Sequence, residues 1–224
     1  MKKTIKTISI IVLVIVVLIS NTMLAQQSVP QKYTRSVTNV AEFKMNMRKL
    51  WQDHVVWTRN VILCIVDDLP GRESAEKRLL QNQDDLGNAL IPYYGEKAGK
   101  RFTALLYPHI TIAAEVVKAL KTGNIPVRDE AGKRWFANAD EISQFLNNAN
   151  SQWALEDMKK MMNYHLRLTT DEAVQRIRKK YDADVITFDT IHNEIIKMAD
   201  MFADGIVQQF PEKFKKVNSK LTSQ

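Results

Sequence analysis

The chain has 224 residues, a formal net charge of +7 at pH 7 and one cysteine, Cys64. A single cysteine excludes an intramolecular disulfide, so packing alone has to hold the fold together. Residues 1–25 contain three lysines and no acidic residue, and without them the formal charge falls from +7 to +4. A mildly basic body without a basic stripe is atypical of nucleic-acid-binding proteins, so we expect no nucleic-acid partner.

The first 25 residues follow the order of a secretory signal. A lysine-rich opening, an apolar run at 8–19 and a small residue, Ala25, come in succession. This order predicts export of the body, either after cleavage of residues 1–25 or with residues 7–24 kept as a membrane anchor. We therefore expect a periplasmic protein, or one that is anchored in the membrane and faces outward.

The rest of the chain has the pattern of a helical bundle. Glycine and proline are scarce, and apolar residues recur at spacings of three and four. Such spacing predicts an all-α fold, an antiparallel bundle of six to seven helices. We expect a flexible linker at 26–36, the bundle at 37–211 and a basic flexible tail at 212–224.

The apolar stripes predict the first four helices at about 37–66, 73–91, 97–121 and 127–146. Ser151 is expected to cap a fifth helix, and the TTDE segment at 169–172 is typical of a capping box that begins a separate short helix. The last helix is expected at about 184–210, with Asp182 and Asp184 as ordinary caps. Neither a strand nor an internal repeat is apparent.

Each of the four histidines falls on the apolar stripe of a different predicted helix: His54, His109, His165 and His192. Asp189 precedes His192 by three residues, which puts both on one helix face. Four further polar residues lie on or beside the stripes: Asp53, Asn82, Asp85 and Asn138. An unpaired buried polar group costs about 1–3 kcal/mol, so isolated burial of each would be unfavourable. We therefore expect the four histidines to converge on one interior region, with Asp189 and either Asn82 or Asp85 beside them.

Two binding functions and one structural alternative fit such an interior. Imidazole and carboxylate groups suit a transition metal (zinc, iron, copper or manganese), and the candidate ligands are His54, His109, His165, Asp189 and His192. A small polar ligand would instead meet Asp53, Asn82, Asp85 and Asn138. The alternative is a non-catalytic structural or protein-interaction module whose buried polar network is purely structural. No catalytic triad can be assembled from spacing, so neither a reaction nor a catalytic residue is assigned.

Four segments carry a resemblance to a known family: LWQDHVVWTRN, LLQNQDDLGNALIPYYG, NADEISQFL and FDTIHNEIIKMADMFADGIVQQFP. In these segments the chain resembles a family of exported bacterial all-helical proteins, some of which carry a glycosyltransferase label. The residues here contain no nucleotide-binding pattern that supports that label. The resemblance implies that the recurrent polar positions of the family match Asp53, His54, Asn82, Asp85, His109, Asn138, His165, Asp189 and His192.

Overall fold

The computed structural model describes residues 39–214, all of which belong to the unit that begins at Val37. These residues contain no strand and form six α-helices and one 3-10 turn: α1 (Val40–Val66), α2 (Arg72–Tyr94), α3 (Glu96–Thr122), α4 (Ile125–Ala149), α5 (Leu155–Ile177), α6 (Tyr181–Gln209) and the turn Pro211–Lys213. The predicted all-helical architecture is therefore confirmed for this part of the chain. The predicted signal or anchor at 1–25, the linker at 26–36 and the tail beyond residue 214 lie outside the described residues.

Each helix packs against the next one along the chain, and α6 returns to pack against α1. Because the connecting loops are short, consecutive helices run antiparallel and form three hairpins, α1–α2, α3–α4 and α5–α6. The odd-numbered helices α1, α3 and α5 also contact one another. Side chains from these three helices therefore meet in the interior of the bundle. Within residues 39–214, no helix combines the length and the apolar character that crossing a membrane requires.

Local sequence explains several helix ends. Asn39 accepts a hydrogen bond from the backbone N–H of Ala41 at the start of α1. Asn124 accepts one from the backbone N–H of Val127 at the start of α4. Both are side-chain caps of the kind that asparagine commonly provides. Gly123 ends α3 with a φ of 66°, in the left-handed region that glycine adopts without steric penalty.

Helices α2 and α3 approach each other closely at two glycines. A Cβ atom built on Gly87 would lie 1.9 Å from Thr103 Oγ1 and 2.8 Å from the carbonyl oxygen of Gly99. A Cβ atom built on Gly99 would lie 2.7 Å from the carbonyl oxygen of Gly87. Since neither position has room for a side chain, this crossing requires glycine on both helices.

Both ends of the described chain lie at the same end of the bundle, which we call the aromatic pole. The ring of Phe43, near the start of α1, lies 5.0 Å from the ring of Phe214 and 5.2 Å from that of Tyr93. At this pole the α2–α3 and α4–α5 connections also meet, since Asn150 Nδ2 donates to the hydroxyl oxygen of Tyr94 at 2.9 Å. Packed aromatic rings therefore close this end.

The opposite end, which we call the ion-paired pole, contains the three connections within the hairpins. Lys121 Nζ of α3 lies 2.6 Å from Asp68 Oδ1 in the α1–α2 loop. Arg176 of α5 donates from Nε to Asp67 Oδ2 in the same loop at 2.9 Å. Salt bridges thus tie the α1–α2 loop to the other two hairpins.

The TTDE segment at 169–172 does not divide the chain into two helices, so that prediction was wrong. Helix α5 continues through it to Ile177. The hydroxyls of both threonines donate to the carbonyl oxygens four residues earlier, at 3.0 and 2.8 Å, which an unbroken helix accommodates. Glu172 does not fold back as a cap but reaches across to Arg59 of α1. Tertiary pairing has overridden the local capping pattern.

The fifth helix also begins later than predicted. Helix α5 begins at Leu155 rather than beside Ser151, and no side chain caps its first turn. Between these positions Trp153 is buried, with its ring packed edge-on against the ring of Phe202 at 5.4 Å. Burial of this tryptophan holds the preceding residues in a turn and delays the helix.

Candidate functional site

Three of the four histidines converge at the centre of the bundle. His54 of α1, His109 of α3 and His165 of α5 are buried and line one small cavity. The ring centroids of His54 and His165 are 5.8 Å apart. The convergence follows from the fold, because these residues lie on the three helices that contact one another. We call this set the histidine cluster.

Apolar side chains form the rest of the cavity wall: Trp51, Phe102, Leu106, Ile142, Leu146, Met162, Met198 and Phe202. The volume of the cavity, counted as the space that the centre of a water molecule can occupy, is about 10 Å³. A volume of that order holds one water molecule or one ion. The cavity is therefore too small for an organic ligand.

The tautomer of His109 is fixed by its partner on α4. His109 Nδ1 lies 2.8 Å from Asn138 Oδ1, and Asn138 Nδ2 donates to the carbonyl oxygen of Leu105 at 3.0 Å. Because the amide nitrogen is committed to a carbonyl, the amide oxygen faces the ring and Nδ1 carries the proton. In the neutral ring the lone pair is therefore on Nε2.

His165 is oriented by a carboxylate that sequence analysis did not identify. His165 Nδ1 lies 3.0 Å from Glu194 Oε2 on α6, and the Glu194 side chain is 10% exposed. An ionised carboxylate only accepts hydrogen bonds, so Nδ1 is the donor here as well. With Nδ1 donating, Nε2 is the ring nitrogen of His165 that is able to accept a hydrogen bond or bind an ion.

His54 faces a pair of amides on α2. Its Nδ1 lies 3.5 Å from Gln83 Nε2, and a hydrogen bond with the Asn82 side chain raises its pKa slightly against the larger effect of burial. Asn82 Nδ2 donates to the carbonyl oxygen of Leu50 at 2.9 Å. This is the same arrangement that Asn138 makes with Leu105 on the next hairpin. Nδ1 of each ring in the histidine cluster thus faces the even-numbered helix of its own hairpin, within hydrogen-bonding distance at His109 and His165 and at the limit of that distance at His54.

The spacing between each histidine and its partner on the next helix is the same in all three hairpins. In each hairpin the histidine and its partner are 29 residues apart: His54 with Gln83, His109 with Asn138, and His165 with Glu194. A small buried residue follows on each even-numbered helix: Gly87, Ser143 and Ala199. Few identical residues recur, so the detectable signal is the spacing between a histidine and a polar residue on the next helix.

Burial keeps two of the rings neutral. Desolvation, together with the neighbouring rings of His165 and His109, holds the pKa of His54 well below its usual value. Desolvation likewise lowers the pKa of His109 to about 4, although the bond with Asn138 opposes this shift. Both rings are uncharged near pH 7. The neutral imidazole is the form that binds metal ions.

The structure does not bring His192 or Asp189 to the cavity. His192 is half-buried at the side of α6, with Nε2 3.2 Å from Gln52 Nε2, and Asp189 is exposed. The interior face of α6 at this level contains Ile191 and Ile195. The predicted convergence therefore includes three histidines rather than four.

Two of the other predicted site residues also lie away from the cavity. Asp53 and Asp85 are half-buried between α1 and α2, and both pair with Arg78, at 3.6 and 3.7 Å. Asp53 also lies 2.6 Å from Lys49 Nζ. These carboxylates therefore link two helices near the surface, whereas Asn82 and Asn138 contact the histidine cluster.

Sequence analysis missed a buried ion-pair network that joins α1, α5 and α6. Arg59 donates to both carboxylate oxygens of Asp184, at 2.8 and 3.0 Å, and to Glu172. Burial raises the pKa of Glu172 to about 7, against the opposing effect of Arg59. The interpretation of Asp182 and Asp184 as caps was wrong, because both lie inside the first turn of α6. Pairs between distant residues leave no periodic signal in a single sequence.

Within residues 39–214, no group of three or more His, Cys, Asp or Glu side chains is arranged so that it could hold a metal ion without movement. Comparison with known protein families, with curated proteins and with solved structures gave no match.

Proposed function

We propose that the protein binds one transition-metal ion in the central cavity, through Nε2 of His109 and His165 and with the ring of His54 as the third candidate ligand. The observation that supports this proposal is the arrangement of the rings. Nδ1 of His109 and of His165 faces an acceptor on a neighbouring helix, which leaves Nε2 as the nitrogen that can bind an ion, and both rings line the central cavity.

An acceptor left without a donor in an apolar cavity costs about 1–3 kcal/mol. A cation bound by several imidazoles removes that cost at all of them together. The contacts at Nδ1 also correspond to those around bound metals, where a ligating histidine donates its other N–H to a carboxylate or carbonyl oxygen. Asn138 and Glu194 are such partners.

The rings would have to close around the ion. Imidazole nitrogens bind zinc at about 2.0–2.1 Å, and residues 39–214 contain no set of three ligands already arranged to hold an ion. Met162 and Met198, which also line the cavity, add two thioether groups. Imidazole together with thioether favours copper or zinc over manganese. Copper(I) and zinc are therefore the first ions to test.

One observation favours a second candidate, the structural network without a metal. The cavity has room for a single water molecule, which could donate hydrogen bonds to two of the rings. In that case the histidine cluster would fix how the three hairpins pack, and the protein would be a structural or interaction module.

Elemental analysis separates the two candidates. Purified full-length protein is incubated with zinc, or with copper(I) under reducing conditions, and dialysed before metal is counted by mass spectrometry. We expect about one ion per chain, retained by His192→Ala and lost in His109→Ala. His192 is the matched control because it lies outside the cavity. If the wild-type protein retains no ion, or if both variants retain it equally, the metal proposal is wrong.

A further inference from the structure

A second candidate site lies on the outside of the third hairpin, in a groove between α5 and α6. The space open to the centre of a water molecule is about 490 Å³, within the range of small-molecule sites. Three methionines and one aromatic residue form much of its wall: Met161, Met198, Met201 and Tyr164. We call it the α5–α6 groove. It is large enough for an organic molecule, unlike the central cavity.

Glu194 gives this groove a polar anchor. Its side chain is nine-tenths buried, and Oε2 accepts from His165. The other oxygen, Oε1, is buried and has no hydrogen-bond partner among residues 39–214. A buried carboxylate oxygen without a donor is unfavourable, so an incoming hydrogen-bond donor would be favoured there.

The two lysines that line the groove do not form a salt bridge with Glu194 within residues 39–214. Lys160 and Lys197 also line the groove, but neither takes part in a salt bridge among the described residues. Long lysine side chains keep their ammonium groups in water while their methylene stems cover apolar surface. The unpartnered oxygen of Glu194 is therefore left for a ligand that brings its own donor into the groove.

We propose that the α5–α6 groove binds a small molecule that joins a protonated amine to an apolar body. The ammonium group would donate to Glu194 Oε1, and the apolar body would pack on the methionine side chains and the ring of Tyr164. Thioether and aromatic surfaces both interact favourably with such bodies, and an aromatic face also attracts a cation. This inference does not rest on a metal in the histidine cluster.

The groove is connected to the central cavity through two residues. Glu194 lines the groove and accepts from His165 through Oε2, and Met198 lines both spaces. A ligand that binds the carboxylate of Glu194 would therefore change the environment of His165. Binding in the groove should therefore be detectable at His165, in the centre of the bundle, as well as at the surface.

Phenethylamine is a suitable probe, with 3-phenylpropionate and 2-phenylethanol as anionic and neutral analogues of similar size. Full-length protein with ¹³C-labelled methionine methyl groups is titrated with each compound at millimolar concentrations. We expect phenethylamine to shift the signals of Met161 and Met201 and to bind at least tenfold more tightly than either analogue. Equal binding of the three compounds, shifts confined to other methionines, or no binding would overturn the proposal.

Two substitutions localise the effect. Glu194→Gln is expected to weaken phenethylamine binding about tenfold and to leave 2-phenylethanol unchanged, whereas Asp189→Asn, an exposed carboxylate on the same helix, should change neither. Because Glu194 also contacts His165, its substitution could impair folding. Tyr164→Ala is the second test: this ring is 49% exposed, and its loss should weaken all aromatic probes without unfolding the bundle. Unchanged binding in both variants would overturn the assignment of the groove.

Discussion

Asn138 divides its amide between two partners, donating to the carbonyl oxygen of Leu105 and accepting from His109. Asn138→Leu removes both bonds and leaves two buried groups unpaired. We expect a loss of about 2–4 kcal/mol in the free energy of unfolding, measured by urea denaturation. Asn148→Leu, an exposed position on the same helix, should change stability by no more than about 0.5 kcal/mol. Comparable losses in the two variants would contradict the role given to Asn138.

Acid should destabilise the bundle through its buried histidines. The pKa of His109 is lowered to about 4 in the folded chain, whereas the unfolded chain binds a proton near the usual value of 6.5. The unfolded state therefore binds more protons between these values, and stability falls as the pH decreases from about 6.5 towards 4. His109→Gln should show a smaller decrease across this range when urea midpoints are compared. A slope as steep as that of the wild-type protein would argue against burial of a neutral His109.

Glu172 should have the opposite effect on the pH dependence of stability: its contribution decreases as the pH rises. Burial raises its pKa from 4.5 to about 7, so the folded chain retains a proton that the unfolded chain releases. This contribution to stability is fully present below about 4.5 and is lost as the pH rises through about 7. Glu172→Gln keeps a neutral group beside Arg59 and should lose less stability than the wild-type protein between pH 6 and 8. Thermal unfolding in matched buffers provides the comparison, and identical profiles would contradict the raised pKa.

Arg59 balances two buried carboxylates, so its removal should be severe. Arg59→Met leaves Glu172 and Asp184 without their cation, and we expect a loss of about 3–5 kcal/mol. The control is Arg48→Met, because Arg48 pairs with Asp200 at 2.7 Å but is 46% exposed. An exposed pair of this kind contributes little to stability because water and salt screen it. The free energies of unfolding of the two variants, measured by urea denaturation, should therefore differ clearly. Similar losses in both variants would show that the buried network is not important for stability.

Two glycine substitutions should have opposite effects. Gly87→Ala places a methyl group 2.8 Å from the backbone of Gly99 and should destabilise the bundle by about 1–3 kcal/mol. Gly132→Ala in α4 meets nothing within 4 Å and should stabilise the helix by about 0.5–1 kcal/mol. Melting temperatures measured side by side should move in opposite directions. A neutral Gly87→Ala would show that α2 and α3 can separate without cost.

Helix limits could be predicted from sequence because apolar spacing and end signals agree. The third helix was expected at about 97–121 and is found at Glu96–Thr122, ended by Gly123. The TTDE segment failed because Arg59 of α1 attracts Glu172, and a capping pattern contains no information about such a distant residue. Local rules located elements well where no buried side chain from a distant contact, such as Glu172 or Trp153, competed with them.

The interior of the site could be predicted only in part. His54, His109 and His165 lie on stripes that face the centre, but His192 lies at the edge of a broad apolar face that Ile191 and Ile195 occupy. Glu194 was missed because it is one of many charged residues on α6. Its burial depends on His165, and only the packed hairpin reveals that contact.

The placement of both ends of the described chain at the aromatic pole has a consequence for orientation. A tether attached before Asn39 and one attached after Phe214 would both leave the bundle from the same side. In either case the loop with Asp67 and Asp68, at the ion-paired pole, would be the face presented farthest from the attachment point.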